Sequence, residues 1–183
     1  TINMSDFFSS LSKVVHTSII LAVLLFLVLF FGNGGFVLDQ LFWSWLFRYL
    51  HVISGVMWIG LLWYFNFVQV PNMSKITDEQ KPAITKVIAP AALFWFRWAA
   101  LATIVTGLTV AYINGYIHEA MTLGIGSGGG KYTAIGIGMW LGIIMAFNVW
   151  FIIWPNQKRA LGIVECEPEL KAKSARTAML FSR

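Results

Sequence analysis

Four long apolar stretches constrain the fold of this chain more than any other feature of its sequence. They cover residues 14–31, 49–70, 88–113 and 134–154. A helix of about 20 apolar residues crosses the roughly 30 Å hydrocarbon core of a bilayer, and each stretch is about that long. The sequence therefore predicts an all-α integral membrane protein, built as a bundle of four transmembrane helices in contact with lipid.

The composition supports this class and excludes several others. Only 11% of the residues are charged and 58% are hydrophobic, whereas charged residues make up about a quarter of a soluble domain. The single cysteine, Cys166, excludes an internal disulfide, an Fe–S cluster and a c-type haem attachment. All eight acidic residues lie outside the apolar stretches, which disfavours an ion-coupled transporter because such proteins usually hold their ion on an intramembrane carboxylate.

The distribution of basic residues predicts the orientation of the helices. If the N-terminus is cytoplasmic, ten of the 13 Lys and Arg residues fall on the cytoplasmic side: Lys13, Lys75, Lys81, Lys86, Lys158, Arg159, Lys171, Lys173, Arg176 and Arg183. The positive-inside rule then predicts a multi-pass protein of the inner (cytoplasmic) membrane with both termini in the cytoplasm. The positions of these charges are explained by the orientation of the helices, so no nucleic-acid partner is expected.

Residues 1–162 form the predicted membrane domain, and residues 163–183 form a cytoplasmic tail, either an interfacial helix or a partly disordered segment.

The sequence also contains an internal similarity. Residues 57–66 align without a gap on residues 139–148, with five identities in ten positions. Each copy then leads to a Pro-Asn pair, at Pro71 and Asn72 and at Pro155 and Asn156. This pattern predicts a duplicated helical hairpin, with an approximate two-fold axis along the membrane normal.

His51 is the residue most suited to bind a cofactor. A neutral imidazole inside a helix bundle is an ordinary axial ligand of haem b, through the haem iron. Gly55, one turn later, would let a flat macrocycle approach the backbone, and Arg48, one turn earlier, could pair with a propionate. The alternative is a histidine that bonds to a neighbouring helix. His118 is the only predicted second ligand within the chain, and its alternative is an exposed loop histidine.

Three further polar residues lie within the apolar stretches at comparable depth. Arg97, Asn66 and Asn148 are predicted to form one cluster that binds a planar anion through charge, hydrogen bonds and stacking on nearby tryptophans. The alternative for Arg97 is a side chain that reaches helix carbonyls and lipid phosphate at the interface. No nucleophile or acid–base pair is visible, so the catalytic residues stay unknown and the sequence leaves open whether the chain is an enzyme.

Several segments of the sequence carry a resemblance to a known family. They are residues 48–60, with Leu-His-Val-Ile-Ser-Gly, residues 94–98 and 106–108, and residues 148–158, which end in Trp-Pro-Asn-Gln-Lys. Over about residues 43–162 the chain resembles the N-terminal membrane domain of the bacterial membrane-bound, cytochrome-c-linked urate oxidase (urate hydroxylase) family. The resemblance implies oxidation of urate to 5-hydroxyisourate, with electrons passed to a cytochrome c.

The chain departs from this family in two respects, which bear on the predicted function. The family has a C-terminal cytochrome c domain, which this sequence lacks, and its membrane domain has more helices. The first hypothesis is therefore a membrane redox protein that binds haem b through His51 and passes electrons to a separate cytochrome. The second is a non-catalytic accessory subunit that packs against a larger membrane complex, with its nine tryptophans among the contacts.

Overall fold

The structure, a computed structural model, describes residues 4–32, 35, 37–126 and 129–183. These described residues form helices and connecting turns, and no strand occurs among them. In chain order the helices are α1 (Met4–Phe8), α2 (Leu11–Gly32), α3 (Gln40–Lys75), α4 (Lys81–Ile113), α5 (Ile117–Met121), α6 (Gly130–Ala160) and α7 (Pro168–Phe181).

Four of these helices, α2, α3, α4 and α6, are long and apolar enough to span a membrane, with mean hydropathies of 2.8, 1.4, 1.6 and 2.0. The prediction of four such helices is confirmed. The helices are longer than the apolar stretches, and α3 has 36 residues. It begins earlier than predicted because Asp39 caps it: the Asp39 Oδ1 atom accepts a 3.0 Å hydrogen bond from the Phe42 N–H group.

The chain divides into two compact units, Thr1–Phe42 and Trp43–Arg183. In the first unit, helix α2 has no buried residue. The Phe26 ring lies 6.2 Å from the rings of both Phe30 and Phe42, measured between centroids. Because α2 is apolar on every side, its surface is suited to contact with lipid all around the helix.

In the second unit, α4 provides most of the buried surface. Ten of its residues are buried, and several of them are alanines, whose small side chains let neighbouring helices approach closely. The core combines residues of α3, α4, α6 and α7: Trp58, Leu93, Phe96, Ala99, Ala100, Val149, Ile153 and Ala178. Residues of α3, α6 and α7 therefore pack with those of α4 in one core.

Three of the long helices contain a π-helical segment that is separated from a following proline by one residue. The segments are Tyr64–Gln69 in α3, Ile84–Ile88 in α4 and Asn148–Ile153 in α6. In each case the residue before the proline donates its N–H group to a carbonyl five residues earlier: Val70 to Phe65, Ala89 to Ile84, and Trp154 to Val149. Proline has no N–H group and its ring clashes with the carbonyl four residues back, so a locally wider turn relieves the clash.

The end of the chain forms α7, which packs on the second unit. Pro168 occupies the first turn of α7, where its fixed φ is favourable and its missing N–H group costs nothing. Ser174 and Ala178 of α7 are buried. The Ser182 carbonyl accepts a 3.3 Å hydrogen bond from the Asn66 Nδ2 group, so the residue after α7 is bonded directly to α3.

Candidate functional site

His51 lies on α3 and faces α4. Its Nδ1 atom is 2.8 Å from the Thr103 carbonyl oxygen. A carbonyl oxygen can only accept, so Nδ1 must carry the proton, and the lone pair of the neutral imidazole is left on Nε2. Metal-binding histidines commonly have this arrangement, in which the ring N–H group bonds to a backbone carbonyl and the other nitrogen is available to the metal.

Helix α4 is shaped to receive the His51 ring at Gly107. A Cβ atom at Gly107 would lie 2.8 Å from the Cε1 atom of His51, so only glycine allows this close approach. The nearby Thr106 hydroxyl donates to the Ala102 carbonyl at 2.6 Å and lies 3.4 Å from His51 Nδ1. Gly107 was not among the residues predicted for this site. The sequence contains the pair Thr106-Gly107 in the next apolar stretch after His51, but it does not show that the two stretches meet there.

A cavity of about 370 Å³ opens beside His51, between α3, α4 and α6. This volume lies in the range of about 300–1,000 Å³ that small-molecule sites occupy. The lining is mostly apolar, with Tyr116 and Met139 as further side chains that can contribute a ligand atom or hydrogen bond. A Cβ atom built on Gly138 would meet nothing within 4 Å, so a ligand could approach the backbone of α6 there.

The other predicted cofactor residues are not among the described residues that line this cavity. Gly55 faces α4, and a Cβ atom there would lie 3.9 Å from the Cγ2 atom of Thr103. Arg48 is exposed one turn before His51. His118 is exposed on α5 and is not among the described residues that line the cavity. Met139 of α6 lines the cavity, so the structure offers a different side chain as partner for a bound group.

The described residues contain no group of three or more His, Cys, Asp or Glu side chains that could hold a metal ion. A metal ion beside His51 would therefore need a cofactor that brings most of its own ligands. Haem is such a cofactor, since its macrocycle supplies four nitrogen ligands and the protein supplies only the axial ones.

Arg97 occupies a different environment, on α4 against α6. Only 8% of its surface is exposed, and its guanidinium carbon lies 3.3 Å from the ring centroid of Trp154 and 5.9 Å from that of Trp150. The Trp150 Nε1 group donates to the Arg97 carbonyl at 3.2 Å. The Nε and Nη1 atoms of Arg97 are buried and have no hydrogen-bond partner within the described part of the chain.

The two asparagines predicted to join Arg97 have contacts elsewhere. The Asn66 Nδ2 group donates to the Leu62 carbonyl at 3.0 Å and to the Ser182 carbonyl at 3.3 Å. Asn148 lines a separate cavity of about 200 Å³. The structure therefore brings Arg97 together with two tryptophans of α6, Asn66 with the end of α7, and Asn148 with a small cavity at the core.

Fold and site together define a class: a helical protein with four helices suited to span a membrane, and a histidine held against the wall of a cavity between three of them. Comparison of the chain with profiles of protein families, with curated proteins and with solved structures found no match. The residues themselves therefore carry the functional argument.

Proposed function

We propose that this chain is a membrane redox protein that binds haem b beside His51 and exchanges electrons with a separate cytochrome or other membrane partner. The observation that carries the proposal is the hydrogen bond from His51 Nδ1 to the Thr103 carbonyl. This bond fixes the ring orientation and leaves the Nε2 lone pair available to a metal. When bound, haem iron supplies one-electron chemistry by changing between its ferric and ferrous states.

The residues around the cavity each have a role in this proposal. His51 would hold the iron through Nε2, and Gly107 keeps the imidazole ring close to α4. Arg48 is exposed one turn from His51 and could pair with a propionate. Met139 of α6 lines the same cavity and would be the second protein ligand, in place of His118. The apolar lining favours binding of the macrocycle by excluding water from its faces.

The proposal includes an orientation and an internal symmetry. With both termini in the cytoplasm of a bacterial cell, His51 lies near the outer face of the inner membrane. Support for a duplicated hairpin comes from α3 and α6: each has a six-residue π-helical segment that ends two residues before a Pro-Asn pair. The side chains of Asn72 and Asn156 then donate to carbonyls four residues earlier, at 2.7 and 2.8 Å.

In its narrowest form, the proposal takes urate as the electron donor, as the resemblance to the urate oxidase family implies. Urate is an anion at neutral pH, and Arg97 is the buried cation that would attract it. Saturable binding of urate to the purified chain, lost in Arg97→Met, would support this form. Absence of any effect of urate on the spectrum or the melting temperature would remove it and leave the haem proposal intact.

The direct test is the optical spectrum of the purified chain, oxidised and then reduced with dithionite, together with a pyridine haemochrome assay. We expect a sharp reduced α-band, one haem per chain and loss of both in His51→Ala. His16→Ala is the matched control, because His16 is an exposed histidine of α2 and its loss leaves the cavity unchanged. Circular dichroism of both variants separates loss of haem from loss of fold.

A flat visible spectrum from well-folded protein would overturn the haem proposal and favour the accessory subunit. The surface supports that alternative to a limited degree, since Trp45 and Tyr49 stack at 6.0 Å on an exposed face of α3. An accessory subunit would co-purify with its complex at fixed stoichiometry and without a cofactor of its own.

A further inference from the structure

Arg97 is a buried charge whose donors lack partners. Its exposed fraction is 8%, and the Nε and Nη1 atoms have no hydrogen-bond partner among the described residues. No described carboxylate forms an ion pair with it either, since the ion pair found in the described residues joins Lys81 and Asp78. An unpaired arginine in a helix that spans a membrane is costly unless an anion or water reaches it, so Arg97 is suited to bind an anion.

The surroundings of Arg97 restrict the shape of that anion. The guanidinium carbon lies 3.3 Å from the centroid of Trp154, so the planar guanidinium rests on the face of the indole ring. This contact covers one face of the guanidinium, and the buried, unpartnered Nε and Nη1 groups lie in its plane, at the edge that the ring does not cover. A compact oxyanion that accepts two parallel hydrogen bonds along this edge matches the arrangement better than a flat ring stacked on the guanidinium.

A second cation lies on the same tryptophan. The Lys158 Nζ atom is 5.8 Å from the Trp154 centroid, and Lys158 and Arg159 are basic residues of the last turn of α6. Trp154 therefore has two positive charges within 6 Å of its centroid. An interfacial tryptophan followed by lysine and arginine is typical of the level at which lipid phosphates lie.

We propose that Arg97, Trp154 and Lys158 form a binding site for a phosphate group, supplied in the membrane by an anionic phospholipid headgroup. Arg97 donates to the phosphate oxygens, Lys158 adds a second positive charge, and Trp154 holds the guanidinium in place. The site is independent of haem binding, because it lies on residues other than those of the cavity and requires no cofactor. It competes for Arg97 with the urate form of the redox proposal.

The test is a titration of the full chain in neutral detergent, with binding followed by the melting temperature and by native mass spectrometry. The probes are phosphatidylglycerol, phosphatidylcholine, inorganic phosphate and urate. We expect phosphatidylglycerol to bind saturably and to raise the melting temperature, and phosphatidylcholine to bind more weakly because it has no net charge. Inorganic phosphate separates the two sources of the group: if it also saturates the site, the site accepts free phosphate as well as lipid.

Variants identify the site. Arg97→Met should weaken phosphatidylglycerol binding about 10- to 100-fold, since a hydrogen bond to a charged group contributes about 1.5–3 kcal/mol. Without lipid, this variant should melt at the same temperature or higher, because it removes an unpaired buried charge. Lys158→Gln should weaken binding less, and Lys131→Gln, which removes a lysine at the opposite end of α6, should leave it unchanged.

Two results would overturn the proposal. One is phosphatidylglycerol binding that is equal in the unmodified chain and in Arg97→Met. The other is saturation by urate alone, without response to either phosphate probe, which would assign Arg97 to a planar substrate. Neither result bears on the haem spectrum, so failure here and failure of the redox proposal are distinguishable.

Discussion

His51 and Arg97 are both polar residues within helices suited to span a membrane, but their side chains have different kinds of partners. The His51 ring bonds to the Thr103 carbonyl at 2.8 Å, so Nδ1 carries the proton and Nε2 can accept. The Arg97 guanidinium lies on Trp154, and two of its buried donors have no partner among the described residues. The comparison teaches that one polar side chain can be satisfied by the backbone of a neighbouring helix, while another is only covered by an aromatic ring.

The largest effect is expected from a substitution at Gly107, which would disrupt the hydrogen bond of His51. In Gly107→Ala the new Cβ would lie 2.8 Å from His51 Cε1, so the ring must move and lose its bond to Thr103. We expect a 10- to 100-fold loss of haem affinity, as for other losses of a ligand-orienting contact, and destabilisation of about 1–3 kcal/mol. Haem content and melting temperature measure these effects.

The control for Gly107 is Gly60→Ala, since a Cβ at Gly60 meets nothing within 4 Å. It should retain both haem and stability. Full haem occupancy in Gly107→Ala would show that the close packing of His51 on α4 is unimportant for the cofactor.

A smaller effect is expected at Trp154, on the Arg97 side. Trp154→Leu removes the ring on which the guanidinium rests, and cation–π contacts contribute about 0.5–2 kcal/mol. Phosphatidylglycerol binding should therefore weaken about 2- to 30-fold in the titration described above. Trp95→Leu, at an exposed tryptophan of α4 that contacts Phe94, should bind as the unmodified chain does, and equal losses in both variants would argue against a specific stack.

A still smaller effect on haem affinity is expected from Thr106→Val, which tests how much the Thr106 hydroxyl contributes to holding His51. The Thr106 hydroxyl is 3.4 Å from His51 Nδ1, which is long for a hydrogen bond, while the shorter bond to the Thr103 carbonyl remains. Haem affinity should fall less than about fivefold. Thr109→Val, whose hydroxyl bonds only to the Val105 carbonyl at 2.8 Å, is the matched control. A loss as large as that of Gly107→Ala would make the hydroxyl the main partner.

The smallest effect is expected at the exposed pair of Asp78 and Lys81, which joins at 2.6 Å outside the apolar part of the chain. The hydrogen bond and charge of Lys81 lower the pKa of the Asp78 carboxyl. A lowered pKa contributes stability above the pKa of the unfolded chain, and this contribution is lost as the pH falls through the folded pKa. Because both groups are exposed, Asp78→Asn should leave the melting temperature at pH 7 unchanged within error, and a clear drop would refute this.

The sequence predicted the helices and the two unusual residues, but it did not predict what surrounds each of them. Apolar length alone locates a spanning helix, and a lone histidine or arginine is easily noticed in such a segment. The partner of His51 is a backbone carbonyl, which every residue has, so no residue type at position 103 could reveal it. The contact with Gly107 likewise depends on how far α3 is rotated about its axis.

The predicted cluster of Arg97 with Asn66 and Asn148 illustrates the same limit. Its argument rested on equal depth in the membrane, and depth says nothing about the direction in which a side chain points. Both asparagines lie in π-helical segments, where one additional residue per turn rotates the following side chains by about 100° relative to a regular α-helix. Equal depth therefore does not establish a contact between these side chains.

The bond between His51 and the Thr103 carbonyl has a consequence for how this site can change over evolutionary time. Since the acceptor belongs to the main chain, a residue at position 103 preserves the histidine tautomer if it keeps α4 helical and fits the buried space beside Gly55. Exchange of side chains at position 103 within that limit would therefore leave the orientation of the His51 ring unaltered. Gly107, one turn away, does not tolerate such exchange, because any side chain there would collide with the His51 ring.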